Sequence, residues 1–162
     1  MKNQEELKGL GGWLILVGLG VLFSPVFVAK DWFDIIEFFK DDSWKYLLDS
    51  NSSIYDPQLF YFICIEIVIN IILFIAAVYA IYLFFSKHYR FPKYYIGLMA
   101  GYFLVLLIDT ISADILIPKQ NAFDEGVISE LVKSFLRMCI WIPYLLFSVR
   151  VKNTFIEKRP SF

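Results

Sequence analysis

The sequence predicts an all-α integral membrane protein, a four-transmembrane-helix bundle with both termini on one side. Three observations carry this. The 162 residues are 59% hydrophobic and 19% aromatic, with a mean hydropathy of +0.62, against about 45–50% apolar residues in soluble domains. The apolar residues gather into four runs, each long enough for the roughly 20 helical residues that cross a hydrocarbon core about 30 Å thick. The connections between the runs alternate in charge. The same composition excludes a disordered chain, a collagen-like repeat and a disulfide scaffold. With 15 Lys and Arg against 16 Asp and Glu, it also offers no basic surface for nucleic acid.

The first span, 10–29, reads LGGWLILVGLGVLFSPVFVA and carries no charge. A cleaved signal peptide fits it poorly. Lys2 and Lys8 are balanced by Glu5 and Glu6, the run exceeds the ~7–15 apolar residues of a signal, and Phe27 stands where a small residue would precede cleavage after Ala29. It is read as a retained anchor. The second span, 59–86, holds one acid, Glu66, and at 1.5 Å per residue reaches roughly 42 Å, so it tilts or extends past the interface. The third, 95–117, contains Asp109 and Asp114; the fourth, 127–149, has Glu130 and Lys133 toward one end and Arg137 well inside. Runs of this length without strand-like alternation satisfy their backbone in lipid only as helices. The four spans make a single membrane domain, 1–162.

Positive charge marks the cytoplasmic side. The 30–56 connection has Lys30, Lys40 and Lys45 against seven acids, and the connection after the third span adds Asp124 and Glu125 to a single Lys119. The middle connection has Lys87, Arg90 and Lys93 with no acid, and the tail supplies Arg150, Lys152, Lys158 and Arg159. Both termini and the middle loop are therefore expected inside. Within 30–49, Trp32, Ile35, Ile36 and Phe39 recur at helical spacing between Asp31, Asp34, Asp41 and Asp42, which predicts an outer amphipathic segment packing over the bundle in the headgroup layer. A docking surface for a membrane or periplasmic protein partner is its functional alternative. The loop KHYRFPK, with His88 read as solvated or touching headgroups, favours anionic lipid at the cytoplasmic face by roughly 1 kcal/mol per basic residue. Cys64 and Cys139 both fall inside spans and have no histidine near them, so neither a disulfide nor a metal site is expected, and no cofactor.

Charges inside spans are costly, so they pair or line a cavity. Counted from the outer ends of the spans, Glu66, Asp109 and Arg137 fall in one layer about 10–15 Å deep. Asn70 shares the face of Glu66, Ser112 lies one turn from Asp109, and Lys133 lies on the face of Arg137. The expectation is a buried polar cluster in which Arg137 bridges Glu66 or Asp109, fixing helix register or serving as a proton-coupled site. Gly97 and Gly101 read as a close-packing pair, and Gly11, Gly18 and Ser24 as one packing face. Pro25 and Pro143 kink spans one and four or end their regular helix. No Ser/His/Asp set, HExxH or phosphate loop is present, so no enzyme is expected.

The two ends of the chain carry further motifs: Gly11-Gly12-Trp13-Leu14 and Ser24-Pro25, then Arg137, Trp141, Pro143-Tyr144, Ser148 and Arg150-Val151-Lys152-Asn153-Thr154-Phe155. In these the chain resembles a bacterial membrane family, domain of unknown function 2569. The resemblance covers nearly the whole chain apart from the divergent 30–56 segment. It implies a multi-pass protein of the bacterial inner membrane and no particular activity. Some members are appended to large extracytoplasmic transglutaminase-like proteins, which implies an accessory role. The residues and the resemblance together point to a non-enzymatic accessory or scaffold module that binds lipid or a partner protein. The alternative is a small proton-coupled transporter or channel using Glu66, Asp109 and Arg137. The RVKNTF tail is expected to dock under the bundle as a basic anchor, with contact to a cytoplasmic partner as the other reading.

Overall fold

A computed structural model describes residues 8–30, 32–40, 42–116 and 123–157. Helix α1 (Trp13–Lys30) starts three residues into the apolar run. Gly12 precedes it at φ +59°, left-handed backbone that a side chain disfavours. Pro25 inside α1 has no N–H for the Val21 carbonyl four residues back. The Ser24 hydroxyl donates to that carbonyl instead, at 2.7 Å, and the helix runs on to Lys30.

The segment expected as one amphipathic helix is two, α2 (Trp32–Lys40) and α3 (Ser43–Leu48), because Asp42 takes a left-handed φ of 60° between them. Both pack along the flank of α4 (Pro57–Phe85): the Trp32 ring lies 5.2 Å from Phe74, and Trp44 lies 6.1 Å from Phe60. Leu47 is buried there, and its carbonyl accepts from the Asp56 N–H at 3.0 Å. Of the charges used to assign sides, Asp31, Asp41, Lys119, Lys158 and Arg159 lie outside the described residues, as do Lys2, Glu5 and Glu6 of the N-terminal flank.

Asp56 caps α4 by accepting from the Leu59 N–H at 3.0 Å, with Pro57 in the first turn, where its missing donor costs nothing. A short turn at 86–90 leads into α5 (Phe91–Leu116). Helix α6 (Glu125–Phe147) is capped by Asp124 accepting from the Val127 N–H at 2.8 Å. It ends at Phe147, two residues before the expected limit of 149, because Ser148 is extended and its hydroxyl caps α7 (Val149–Thr154). The described residues are all-helical apart from turns, caps and one isolated bridge. By length and composition α4 and α5 can each cross a membrane; α1 is apolar but shorter.

Helix α1 packs on α4, α4 on α5 and α5 on α6. Neighbours run antiparallel: Phe84 of α4 meets Phe91 of α5 at 5.1 Å, and Phe103 of α5 meets Phe135 of α6 at 6.1 Å. The core is concentrated at the end where the described termini lie. Leu14, Val17 and Val21 meet Ala80, Leu83 and Phe84 there, with Phe91, Tyr95, Leu145, Val151 and Phe155 closing the cluster. Gly18 admits the Phe84 ring so closely that an added Cβ would lie 2.8 and 2.9 Å from ring carbons. Gly97 and Gly101, by contrast, have nothing within 4 Å of an added Cβ: the pair does not mark a close helix crossing, because α5 meets its neighbours through other faces.

The C-terminal tail does fold back under this end. Thr154 Oγ1 accepts from the Gly9 N–H at 3.0 Å and donates to the Gly9 carbonyl at 3.2 Å. The Phe155 ring stacks on Phe91 at 4.6 Å, and Glu157 forms a parallel bridge with His88. His88 is half-buried: its Nδ1 accepts from the Arg90 N–H at 3.1 Å, and its ring stacks on Tyr89.

Candidate functional site

Helix α6 repeats polar residues at i, i+3, i+4 and i+7: Glu130, Lys133, Ser134 and Arg137. This spacing puts all four on one face. That face lines a cavity of about 470 Å³, within the ~300–1,000 Å³ typical of small-ligand sites. Gly20, Ser24, Phe27 and Val28 of α1 line it as well, as do Leu73 and Ala77 of α4 and Tyr95, Leu98, Met99 and Tyr102 of α5. Toward the packed core its floor includes the buried Tyr95, whose hydroxyl would lie 3.4 Å from a Cβ added at Gly20.

Ser134 is buried, while Glu130, Lys133 and Arg137 are exposed. Arg137 is near enough to Tyr95 for its charge to act on the phenol. Lys133 and Arg137 stand four residues apart on one face, an arrangement in which like charges repel. Glu130 is the acid of that face, so the lining carries two cations against one anion. Among the described residues the ion pair is Lys45 with Asp42 at 2.8 Å, and neither Lys133 nor Arg137 takes part in one.

The structure divides the six residues expected to cluster. Lys133 and Arg137 line the cavity; Glu66, Asn70, Asp109 and Ser112 are half-buried on α4 and α5 and do not line it. Glu66 and Asp109 are each eighteen residues along their helices from the Phe84–Phe91 contact, which sets them at matching heights. Asn70 donates its amide to the Glu66 backbone carbonyl at 3.1 Å, a bond within its own helix. Arg137 belongs to a different layer. The Phe103–Phe135 contact fixes the register of α5 against α6, and from it Arg137 lies about 12 Å along the axis from Asp109. The single layer inferred from the sequence assumed span ends of equal height. Yet Arg137 is twelve residues, about 18 Å, from the start of α6, while Asp109 is seven, about 10 Å, from the end of α5.

Glu130, Ser134, Ser24, Tyr95 and Tyr102 are the other polar residues of the lining and were missed as site residues. The α6 spacing could have found the first two. The tyrosines sit in an apolar run with no periodic signal of their own.

The end motifs assemble a different structure, a clamp on both termini. The Arg150 guanidinium lies over Gly11 and Gly12, with Nη1 2.8 Å and Nε 3.7 Å from Cβ atoms added at those positions. Val151 and Thr154 are almost wholly buried, and Trp141 meets Tyr144 edge to face at 5.8 Å. Pro143 lies within α6, while Trp13 and Lys152 are exposed.

A family described as a protein of unknown function (DUF2569) matches residues 7–156. The match covers nearly the whole chain, and the chain belongs to this family. No curated protein and no solved structure matches it.

Proposed function

We propose that this DUF2569 protein is a four-span protein of the bacterial inner membrane, N-in and C-in, acting as a non-enzymatic accessory module that holds a lipid or another partner. The observation that carries the reading is the cavity among the four long helices, with polar side chains from α6 on one wall and mainly apolar side chains on the rest. Gathering the α6 charges on one face leaves Ile128, Val132, Phe135 and Leu136 exposed around its remaining perimeter, a surface suited to acyl chains. Helix α1, uncharged until Lys30, packs on α4. For orientation, Lys87, Arg90, Lys93, Arg150 and Lys152 cluster at the packed end, and Asp42, Asp49, Asp56, Asp124 and Glu125 lie in the opposite connections. The carrier reading drew on a contact of Arg137 with Glu66 or Asp109, and the separation of those layers gives it less support than the binding reading.

Impermeant maleimide labelling of single cysteines in intact cells tests the topology, and native mass spectrometry of protein extracted from native membranes tests the role. Asn51→Cys should label from outside and Lys152→Cys only after permeabilisation, and the extracted chain should retain a lipid or partner in stoichiometric amount. Labelling of Lys152→Cys in intact cells, or recovery of the bare chain alone, would contradict the proposal.

A further inference from the structure

The geometry points to an anionic amphiphile as the ligand of the α6 cavity, with its phosphate or carboxylate head held by Lys133 and Arg137 and a single hydrocarbon chain laid against Phe27, Val28, Leu73 and Leu98. This deepens the binding-module reading and rests on it. Two cations four residues apart, with Glu130 alone to offset them on that face, leave an excess of positive charge. Like charges facing one space whose walls are otherwise mainly apolar set up a positive potential there that favours a counter-anion. Neither cation spends its charge on a carboxylate of the described residues. Arg137 and Lys133 offer charged N–H donors one turn apart to the oxygens of one oxyanion. Ser134 and Tyr102, both hydroxyl-bearing residues, are also among the lining.

The rest of the lining argues for a tail. Side chains from α1, α4 and α5 present carbon where a hydrated inorganic ion would want donors, and transfer of methylenes onto such a wall is favourable. The size, about 470 Å³, suits one chain and a small head rather than a whole two-chain phospholipid. Lys133 and Arg137 lie eight and twelve residues from the start of α6, about 12 and 18 Å, so the head sits below the interface, with the cavity supplying the charges that lipid lacks.

The test uses the full chain in an uncharged glycoside detergent, with thermal unfolding followed during titration by dodecyl phosphate, dodecylphosphocholine and inorganic phosphate. Dodecyl phosphate should raise the unfolding temperature with a midpoint at least tenfold lower than either of the others. The K133Q/R137Q variant should require at least tenfold more dodecyl phosphate while unfolding, without ligand, at the wild-type temperature. Arg137→Lys, which keeps the charge, should retain most of the response even where the double variant folds poorly. Equal stabilisation by inorganic phosphate would reduce the site to a free-anion site and overturn the amphiphile. An equal response to dodecylphosphocholine, an unchanged response in the double variant, loss of the response in Arg137→Lys, or no response in the wild type would each overturn the inference. Retention of another partner in the native-membrane experiment would still leave the binding-module reading standing.

Discussion

Thr154 holds both backbone groups of Gly9 with one hydroxyl, accepting from the N–H at 3.0 Å and donating to the carbonyl at 3.2 Å across 145 residues of chain. Thr154 is almost fully buried, with Val151 and Phe155 beside it and the Arg150 guanidinium over the neighbouring Gly11-Gly12 turn. The glycines, the arginine and the threonine of the two end motifs thus make one joint. Thr154→Val keeps the shape and removes both bonds, leaving polar groups of Gly9 without that partner. It should lower stability by about 1–3 kcal/mol, read as a drop in unfolding temperature together with faster amide exchange near Gly9. Thr154→Ser should recover most of the loss.

The glycines give a paired prediction about packing. Gly18→Ala drives a methyl group into the Phe84 ring, itself packed against Phe91 and Phe155, and should cost about 1–3 kcal/mol. Gly97→Ala meets nothing within 4 Å and should be neutral or stabilising by up to ~1 kcal/mol through better helix propensity. Thermal unfolding of the two variants side by side checks this; equal losses would contradict the register of α1 on α4.

Much of the fold was legible because hydropathy and helix punctuation agreed. Asp56-Pro57 opens α4 and Asp124 opens α6 close to where the apolar runs begin. The misplaced limits have local causes that hydropathy does not register: left-handed Gly12 before α1, left-handed Asp42 between α2 and α3, and the cap at Ser148. The site was half legible. The 130, 133, 134, 137 spacing reveals the polar face, and Lys133 and Arg137 were both singled out. What faces them depends on the offset between helices, which ring contacts such as Phe103–Phe135 set and span limits do not. The Gly97–Gly101 spacing had the form of a packing motif without a neighbour to meet it.

Ser24 and Pro25 form a coupled pair. Pro25 deprives the Val21 carbonyl of its helical donor and the Ser24 hydroxyl supplies one at 2.7 Å. Ser24→Ala should therefore cost about 0.5–1.5 kcal/mol in the native background. In a Pro25→Ala background the restored N–H serves that carbonyl, and the same serine substitution should cost almost nothing. A double-mutant cycle measured by thermal unfolding should return a coupling of at least ~0.5 kcal/mol.

Arg137 separates a cavity from an ionic staple. It is exposed, and no ion pair with a described residue holds it. Arg137→Gln should change stability by less than ~0.5 kcal/mol, as substitutions away from buried networks do. Breaking a buried pair would instead cost about 3–5 kcal/mol. Unfolding of the ligand-free protein in uncharged detergent makes the comparison.

Hydration of the cationic face of α6 is most directly tested by thiol modification in membranes, since charged methanethiosulfonates react only with hydrated thiolates. Cys139 is exposed but lies on the side of α6 away from Arg137, and Tyr102 lines the cavity from α5. With Cys64 replaced by serine, native Cys139 should stay unmodified by either the sulfonate or the trimethylammonium reagent. With both native cysteines replaced, Tyr102→Cys should react with both, and at least threefold faster with the sulfonate once rates are normalised to free cysteine. Modification of Cys139 as fast as of Tyr102→Cys, or no preference for the anionic reagent at the cavity position, would contradict the account.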